Sequence, residues 1–307
     1  MKTLLLGSSA LRTSRLAYGC WRIADRELSP EAGRAAVLAA VDAGYTLFDH
    51  ADIYCDSAAE TLFGRVLKET PGLRDRMVLA SKCGIRKPGD PGPDAPYRYD
   101  FSADYIVRSC EGSLRRLGVE CLDLYQLHRP DYLMDPDEVA GAFAALRAAG
   151  KVREFGVSNF RPSQVTALQR ACPMPLVVNQ VEISLGQWCC LEDGTLDQCL
   201  AERRTPLAWS PLAGGQLGGG ARRLLRSQEG YRTASVTELA DALAAAGGVS
   251  RAAVALAWLL RHPAGIGPIV GSTDPARIRE AARADEIELG REDWYRLLTA
   301  ARGEGLP

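Results

Sequence analysis

The sequence is poor in several residue types, and each scarcity excludes a class of function. Only five of its 37 basic residues are Lys, and it has two Asn and three His. It contains no run of about 18 or more uncharged apolar residues, so no transmembrane helix is expected. Its first apolar run, residues 1–6, is too short for a signal peptide. The net charge of −1 and the lack of a basic stripe argue against nucleic-acid or membrane partners.

Nine cysteines are present, an odd number without any Cys-x-x-Cys spacing. This pattern argues against a disulfide framework and against a zinc site, so we expect no bound metal. Cys20, Cys83 and Cys121 stand in apolar runs typical of small core residues. A reducing, cytoplasmic location is therefore expected, with packing as the ordinary role of the cysteines.

The common nucleotide-binding and hydrolytic fingerprints are also missing. No G-x-G-x-x-G follows a predicted strand, and there is no P-loop, H-E-x-x-H or G-x-S-x-G motif. A nicotinamide cofactor, if one binds, is therefore not held by a Rossmann unit.

What is present is an eightfold alternation of short apolar segments with longer segments of helical period. The predicted strands are 16–20, 46–50, 77–82, 122–128, 154–158, 177–182, 206–210 and 267–270. The predicted helices are 30–43, 57–68, 103–117, 137–149, 162–171, 195–203, 250–261, 275–284 and 291–302. Such alternation predicts a parallel sheet covered by helices, and eight units favour a (β/α)8 TIM barrel as one domain over 1–307. A doubly wound open sheet is the alternative.

Two long connections interrupt this pattern. Residues 83–100 are rich in Pro and Gly, and residues 212–235 contain Gly-Gly-Gln-Leu-Gly-Gly-Gly. Loops of this length are usually functional or disordered. Both follow the carboxyl end of a predicted strand, where barrel active sites lie.

Chemically capable side chains collect at three successive strand ends. Asp49, Lys82 and His128 end predicted strands, and Tyr54 follows Asp49 by five residues. Neighbouring strand ends of a barrel share one rim, so these four should line one pocket. Each alone has an ordinary interpretation: a helix cap, a half-buried aromatic, a salt bridge at the rim or a core imidazole. Four such residues at one rim favour a functional site.

The pocket suits proton transfer to a carbonyl. Free Tyr has a pKa of about 10, and a nearby ammonium lowers that pKa by favouring the phenolate. Asp49 would keep Lys82 charged, and a neutral His128 could donate a hydrogen bond to a carbonyl oxygen. Tyr54 would then give its proton as charge develops on that oxygen. NAD(P)H would supply the hydride.

These segments closely resemble the aldo-keto reductase superfamily, in its bacterial oxidoreductase branch, over about residues 16–283. Phe-Asp-x-Ala-x-x-Tyr at 48–54, Ser-Lys-Cys-Gly at 81–84 and Asp-Leu-Tyr-Gln-Leu-His-Arg-Pro-Asp at 123–131 resemble the family's catalytic segments. Gly-Lys-Val-Arg-Glu-Phe-Gly-Val-Ser-Asn-Phe at 150–160 is the most specific match. The resemblance implies a carbonyl reductase acting on aldehydes or ketones, with Asp49, Tyr54, Lys82 and His128 as its catalytic residues.

The resemblance also implies a cofactor site. Ser158, Asn159 and Gln180 would bind the nicotinamide carboxamide, and Trp209 would stack under the ring, although many members have Tyr there. The other implied contacts are Ser210, Leu212 and Gln216 at the pyrophosphate, Ser272, Thr273 and Arg277 at a 2′-phosphate, and Glu280 near the adenine. Gly271 and Ala281 stand where some members have Lys and Asn, which removes one cation. Because Arg277 can still grip a phosphate, NADPH is expected, with NADH possible.

Substrate and assembly are less defined. Trp21 is expected to face the substrate, with Tyr97 or Tyr99 from the long loop as further candidates. The sequence ends soon after its last predicted helix, so an open site and a broad range of small carbonyl substrates are expected. The protein would be a monomer or small homo-oligomer. Two alternatives remain: a nicotinamide-binding regulatory or accessory subunit with little turnover, and a Schiff-base lyase using Lys82.

Overall fold

Eight parallel strands close into a barrel in this computed structural model, which describes residues 1–219 and 224–306. In order around the barrel they are β3, β4, β5, β8, β9, β10, β11 and β12, and β12 pairs again with β3. The strands are β1 (Thr3–Leu5), β2 (Arg12–Ser14), β3 (Ala17–Gly19), β4 (Leu47–Asp49), β5 (Val78–Cys83), β6 (Ile85–Arg86), β7 (Arg98–Tyr99), β8 (Leu122–Leu127), β9 (Val152–Ser158), β10 (Leu176–Glu182), β11 (Thr205–Trp209) and β12 (Gly267–Val270). The predicted barrel is confirmed, and the open-sheet alternative is wrong.

The described residues also form ten α-helices, most of which lie in the connections between barrel strands and pack on the outside of the barrel. They are α1 (Pro30–Asp42), α2 (Ala58–Glu69), α3 (Ala103–Leu117), α4 (Pro136–Ala148), α5 (Pro162–Ala171), α6 (Thr195–Ala201), α7 (Ala234–Gly247), α8 (Arg251–Leu260), α9 (Pro275–Ala282) and α10 (Arg291–Arg302). Their ends follow the expected chemistry. Ser102 accepts a hydrogen bond from the N–H of Tyr105 at the start of α3, and Gly118 ends it at φ 66°.

Strand alternation separates two packing layers. Leu47 and Ala80 point into the barrel and pack with its other interior residues, whereas Phe48 and Leu79 point outward against the helices. Leu6, in the connection between β1 and β2, is fully buried against the interior layer. The interior is therefore a packed core. The polar side chains occupy the last inward-facing positions of the strands, at the carboxyl rim of the barrel.

The structure corrects the sequence analysis in the connections. The predicted barrel strands and helices agree with the observed bounds to within two residues. However, the sequence predicts no element over α7, whose first two residues belong to the predicted long connection 212–235. The connection 83–100 contains the two-stranded hairpin of β6 and β7, and Arg86 binds Asp90 and Asp100 across it. Residues 220–223 of the second connection lie outside the described residues.

The cysteines are all free, but their expected role as core residues holds only in part. Cys20 and Cys83 are fully buried, as predicted, whereas Cys121, directly before β8, is only partly buried. Cys189 is exposed, so packing cannot be its role.

Within the described parts of the chain, no single helix has both the length and the apolar character to cross a membrane. The helices α7 and α8 satisfy that test only when taken together, across a bend of 97°.

Candidate active site

Three neighbouring barrel strands bring the predicted catalytic side chains together. Asp49 ends β4, Lys82 is the penultimate residue of β5, and His128 directly follows β8. These strands pair in sequence, with Asp49 beside Ala80 and Lys82 beside Gln126. The carboxyl ends of adjacent parallel strands meet at one edge, and the twofold alternation turns all three side chains inward.

Lys82 is the centre of this cluster. Its fully buried Nζ donates to Asp49 Oδ2 at 2.7 Å, to the carbonyl of His50 at 2.8 Å and to the hydroxyl of Tyr54 at 3.0 Å. Burial lowers the pKa of Lys82, but the carboxylate of Asp49 and the phenol of Tyr54 raise it by more, so its pKa lies above the ordinary value. The amine is therefore a charged ammonium with all three protons donated.

Tyr54 is presented by a loop whose backbone is left-handed at three consecutive residues. Cys55, Asp56 and Ser57 have φ of 50°, 55° and 70°, and α2 begins directly after them. This turn brings the partly buried Tyr54 back over the barrel mouth to contact Lys82. Such conformations cost energy in residues other than Gly, so the surrounding structure must hold them in place.

The acidity of Tyr54 results from two opposed effects. Burial raises its pKa, Lys82 lowers it by charge and by a hydrogen bond, and Asp49 raises it; the net direction is upward. The ammonium thus acts as expected from the sequence, but burial outweighs it. The phenol is fully protonated at neutral pH, as a proton donor must be.

His128 is neutral in this environment. Burial, followed by the positive charges of Lys82 and Arg129, holds its pKa well below the ordinary value. Its ring packs edge-on to that of Tyr54, with centroids 5.7 Å apart. Its Nδ1 is buried and finds no hydrogen-bond partner among the described residues. A neutral imidazole beside a phenol can donate one hydrogen bond to a ligand oxygen.

The residues predicted to hold a carboxamide lie on the next strands of the same rim. Asn159 follows β9 with φ 64°, and its amide donates to Ser158 Oγ at 2.8 Å and to the carbonyl of His128 at 3.1 Å. Gln180 on β10 donates to Asp49 Oδ1 at 2.9 Å. This contact joins the predicted amide-binding group to the Asp49–Lys82 pair, a link that sequence analysis did not predict.

Trp209, at the end of β11, is positioned by the same network. Its indole N–H donates to Asn159 Oδ1 at 2.9 Å, which fixes the plane of the ring. The guanidinium of Arg129 lies 5.3 Å from the ring centre, so a stacked ligand would use the other face or displace Arg129. Trp21 is 47% exposed, and its ring centre is 6.3 Å from that of Tyr54 at the mouth of the site.

The predicted pyrophosphate residues lie on the loop that follows Trp209. Ser210, at φ 49°, accepts a hydrogen bond from Gln228 Nε2 at 3.0 Å. Leu212 is partly buried against apolar side chains outside the barrel. Gln216 uses its side chain within the loop region, donating to the carbonyl of Gln228 and accepting from Thr233. Both ends of the Gln216 side-chain amide are thus already hydrogen-bonded within the protein.

The other end of this loop reaches the predicted phosphate site. Arg277, on α9, donates to the carbonyl of Gly219 at 3.4 Å and lies 3.8 Å from the carboxylate of Asp274. Ser272 and Thr273 precede the same helix and are partly buried. The loop 210–219 therefore runs between the nicotinamide end and the phosphate end of the predicted cofactor groove.

Glu280 is bound to protein groups rather than pointing freely to a ligand. Its carboxylate accepts from the N–H of Ser250 at 3.0 Å and from Arg283 at 3.5 Å. Like Asn159 and Gln180, it therefore already has protein partners.

Sequence analysis missed three groups that shape the site. Arg129, Glu182 and Gln228 surround Trp209 and Ser210, with Gln228 Nε2 donating to Glu182 Oε1 at 2.7 Å. Arg129 directly follows His128 in the matched segment and could have been found there. Gln228 comes from the middle of a long connection, and no pattern near it indicates its position.

Residues 15–301 match the family model described as the Aldo/keto reductase family. The chain belongs to that family. It is 44% identical to a 6-dehydroglucose reductase of Novosphingobium aromaticivorans, over 98% of this chain and 96% of the relative. It is 42% identical to a protein of the same name from Agrobacterium fabrum, over 97% of each chain.

Further relatives agree on the class. The Oxidoreductase YdhF of Escherichia coli is 41% identical over 96% of this chain and 95% of its own length. A thermostable aldo-keto reductase, solved with the inhibitor epalrestat, superposes with a TM-score of 0.81 at 26% identity, covering 98% of this chain and all of that one. This aldo-keto reductase is thus an oxidoreductase built on the predicted TIM barrel, in a family that acts on small-molecule carbonyl compounds.

Proposed function

We propose that this aldo-keto reductase reversibly reduces aldehydes or ketones to alcohols, with NADPH as the hydride donor and Tyr54 as the proton donor. One observation carries the proposal. The buried ammonium of Lys82 contacts both the carboxylate of Asp49, at 2.7 Å, and the hydroxyl of Tyr54, at 3.0 Å. A cation held at this place favours a phenolate that forms as the proton leaves.

Each residue of the cluster has a separate task. A nicotinamide cofactor held along the rim would supply the hydride that the carbonyl carbon accepts. Tyr54 gives its hydroxyl proton to the carbonyl oxygen as negative charge develops there, and the phenolate is reprotonated from solvent. Lys82 stabilises that phenolate, Asp49 keeps the amine charged, and neutral His128 donates a hydrogen bond that orients the carbonyl.

The polar groups along the rim fit a nicotinamide nucleotide. We assign Ser158, Asn159 and Gln180 to the carboxamide, because these amide and hydroxyl groups lie beside the catalytic cluster. Trp209 offers a fixed aromatic face to the ring. The remaining proposed contacts follow the loop to the exposed guanidinium: Ser210, Leu212, Gln216, Ser272, Thr273, Arg277 and Glu280. A guanidinium favours NADPH over NADH because it pairs with the extra phosphate.

Replacement of Tyr54 by Phe tests the proton-donor assignment. Loss of a general acid lowers kcat by roughly 10²–10⁴-fold, whereas the cofactor contacts stay intact. Steady-state kinetics on an aldehyde, together with fluorescence titration of NADPH, separates the two effects. A Phe variant that turns over like the parent would show that the proton comes from another group.

A hydroxylated, sugar-like aldehyde is the narrower candidate for the substrate. Two relatives above 40% identity are named 6-dehydroglucose reductase. The exposed indole of Trp21 and the guanidinium of Arg129 beside Trp209 offer an apolar face and hydrogen-bond donors for such a molecule. We expect kcat/KM for a sugar-derived aldehyde to exceed that for an alkyl aldehyde of equal length. Equal values would favour the broad, open site expected from the sequence.

The two alternatives predict different outcomes. A Schiff-base lyase needs a neutral Lys82, whereas Asp49 and Tyr54 raise the pKa of this amine. Borohydride trapping of substrate on Lys82 would support the lyase. An accessory subunit would oxidise one equivalent of bound NADPH and then stop, so steady-state cycling distinguishes it from an enzyme.

A further inference from the structure

A single turn after β10 brings three metal-ligating side chains together. Cys189, Cys190 and Asp193 place their sulfur and carboxylate oxygen atoms within 4.8 Å of one another. The turn begins as a 3-10 helix, Cys189–Leu191. The carbonyl of Cys189 accepts from the N–H of Glu192 at 2.9 Å and of Asp193 at 3.0 Å. These bonds close the backbone and return Asp193 to the cysteines.

The cluster is open on one side and anchored on the other. Cys189 and Asp193 are exposed, whereas Cys190 is only 5% exposed and its thiol lies 3.8 Å from the carbonyl of Glu182. Asp193 Oδ1 accepts from the N–H of Thr195 at 2.9 Å, which orients the carboxylate. A tetrahedral ion with bonds of about 2.3 Å to sulfur needs ligand atoms roughly 3.8 Å apart. Rotation of the exposed Cys189 and Asp193 side chains can bring the ligand atoms, now within 4.8 Å of one another, to that separation.

The thiolate, not the thiol, is the form of cysteine that ligates a metal ion. An ion bound here would therefore displace a proton from each thiol that it contacts, and its binding would strengthen as the pH rises.

We propose that Cys189, Cys190 and Asp193 bind one thiophilic divalent cation of the Zn²⁺ or Cd²⁺ type, with water as the fourth ligand. Two thiolates and one carboxylate are the ligands that such ions prefer over Mg²⁺ or Ca²⁺. The Cys-x-x-Cys spacing of many zinc sites is absent from this sequence. Here the ligands are two adjacent residues and one three positions later. The proposal does not depend on the reductase activity.

Cadmium titration tests the site directly. Fully reduced, chelator-treated protein is titrated with Cd²⁺, and the near-ultraviolet thiolate-to-cadmium absorption is followed. We expect saturation at one equivalent. Cys189→Ser should abolish the tight phase, and Asp193→Asn should weaken binding by about tenfold or more, since even outer-shell partners cost roughly 10–100-fold. Cys121→Ser, directly before β8, is the control and should bind as the parent does.

Two results would overturn the proposal. One is the absence of a stoichiometric absorption change in the reduced parent protein. The other is a Cys189→Ser variant that binds Cd²⁺ with unchanged affinity, since the ion would then lie elsewhere. Cys189 is exposed, so its replacement leaves the core intact, and far-ultraviolet circular dichroism checks this. Added Zn²⁺ should displace Cd²⁺ from the same ligands and reverse the absorption change.

Discussion

The Asp49–Lys82 pair should show strong energetic coupling, because both charges are removed from water. The Lys82 side chain is fully buried, that of Asp49 is 3% exposed, and the two charged atoms are 2.7 Å apart. Lys82→Met leaves the carboxylate without its cation, although Gln180 still donates to it. Asp49→Asn leaves the ammonium with the His50 carbonyl and the Tyr54 hydroxyl only.

The magnitude follows from the burial. Removing one partner of a buried pair costs about 3–5 kcal/mol, because the remaining charge is uncompensated. The double variant removes both charges, so its cost should fall short of the sum of the two single costs by about 2–3 kcal/mol. The pair Arg34–Glu69, at 3.1 Å and with side chains 46% and 55% exposed, is a matched surface control. Its coupling should stay below about 1 kcal/mol.

Urea denaturation of the four proteins in each double-mutant cycle measures these coupling energies. The reasoning depends on a larger coupling for the buried pair than for the surface pair. If the Asp49 and Lys82 effects add to within about 0.5 kcal/mol, the two groups do not stabilise each other as charges. The assignment of Lys82 as a fixed ammonium would then be wrong.

Three further predictions concern pH, the cofactor and packing. Burial and the nearby Lys82 lower the pKa of His50 to about 3. Between that value and the unfolded pKa of about 6.5, only the unfolded chain binds the proton, so stability decreases as the pH falls. In urea denaturation over this range, His50→Phe should reduce the slope of stability against pH by up to about 1.4 kcal/mol per pH unit. Arg277→Leu should weaken NADPH binding in fluorescence titrations but leave NADH binding nearly unchanged, and equal losses would contradict a phosphate contact. Gly33→Ala should destabilise the protein by about 1–3 kcal/mol in thermal unfolding, because its Cβ would lie 2.0 Å from the Ile23 carbonyl oxygen. The control is Gly141→Ala in α4, whose Cβ meets nothing within 4 Å and which should not destabilise the protein.

The local sequence pattern was enough to predict the barrel and most of the polar residues at its carboxyl rim. Strands buried on both faces appear as short apolar runs, and the period of the intervening segments separates helices from them. The Asp49, Lys82 and His128 positions follow because strand ends in a barrel are neighbours. The α7 helix is not predicted, because its segment begins within a long Gly-rich connection and ends in Gly-Gly. The short β6–β7 hairpin carries too few residues for a periodic signal.

Contacts between residues distant in sequence had to come from the tertiary structure. Gln180 binds Asp49 across 131 residues, and Arg277 reaches Gly219 across 58. The sign of the Tyr54 pKa shift is also a tertiary property. The sequence identifies Lys82 as a cation that makes the phenol more acidic, but it cannot give the burial that outweighs this effect. The sequence thus determined which residues meet at the barrel mouth, because strand alternation and barrel closure are local rules. The solvation of those residues depends on every segment packed around them, and only the folded chain decides it.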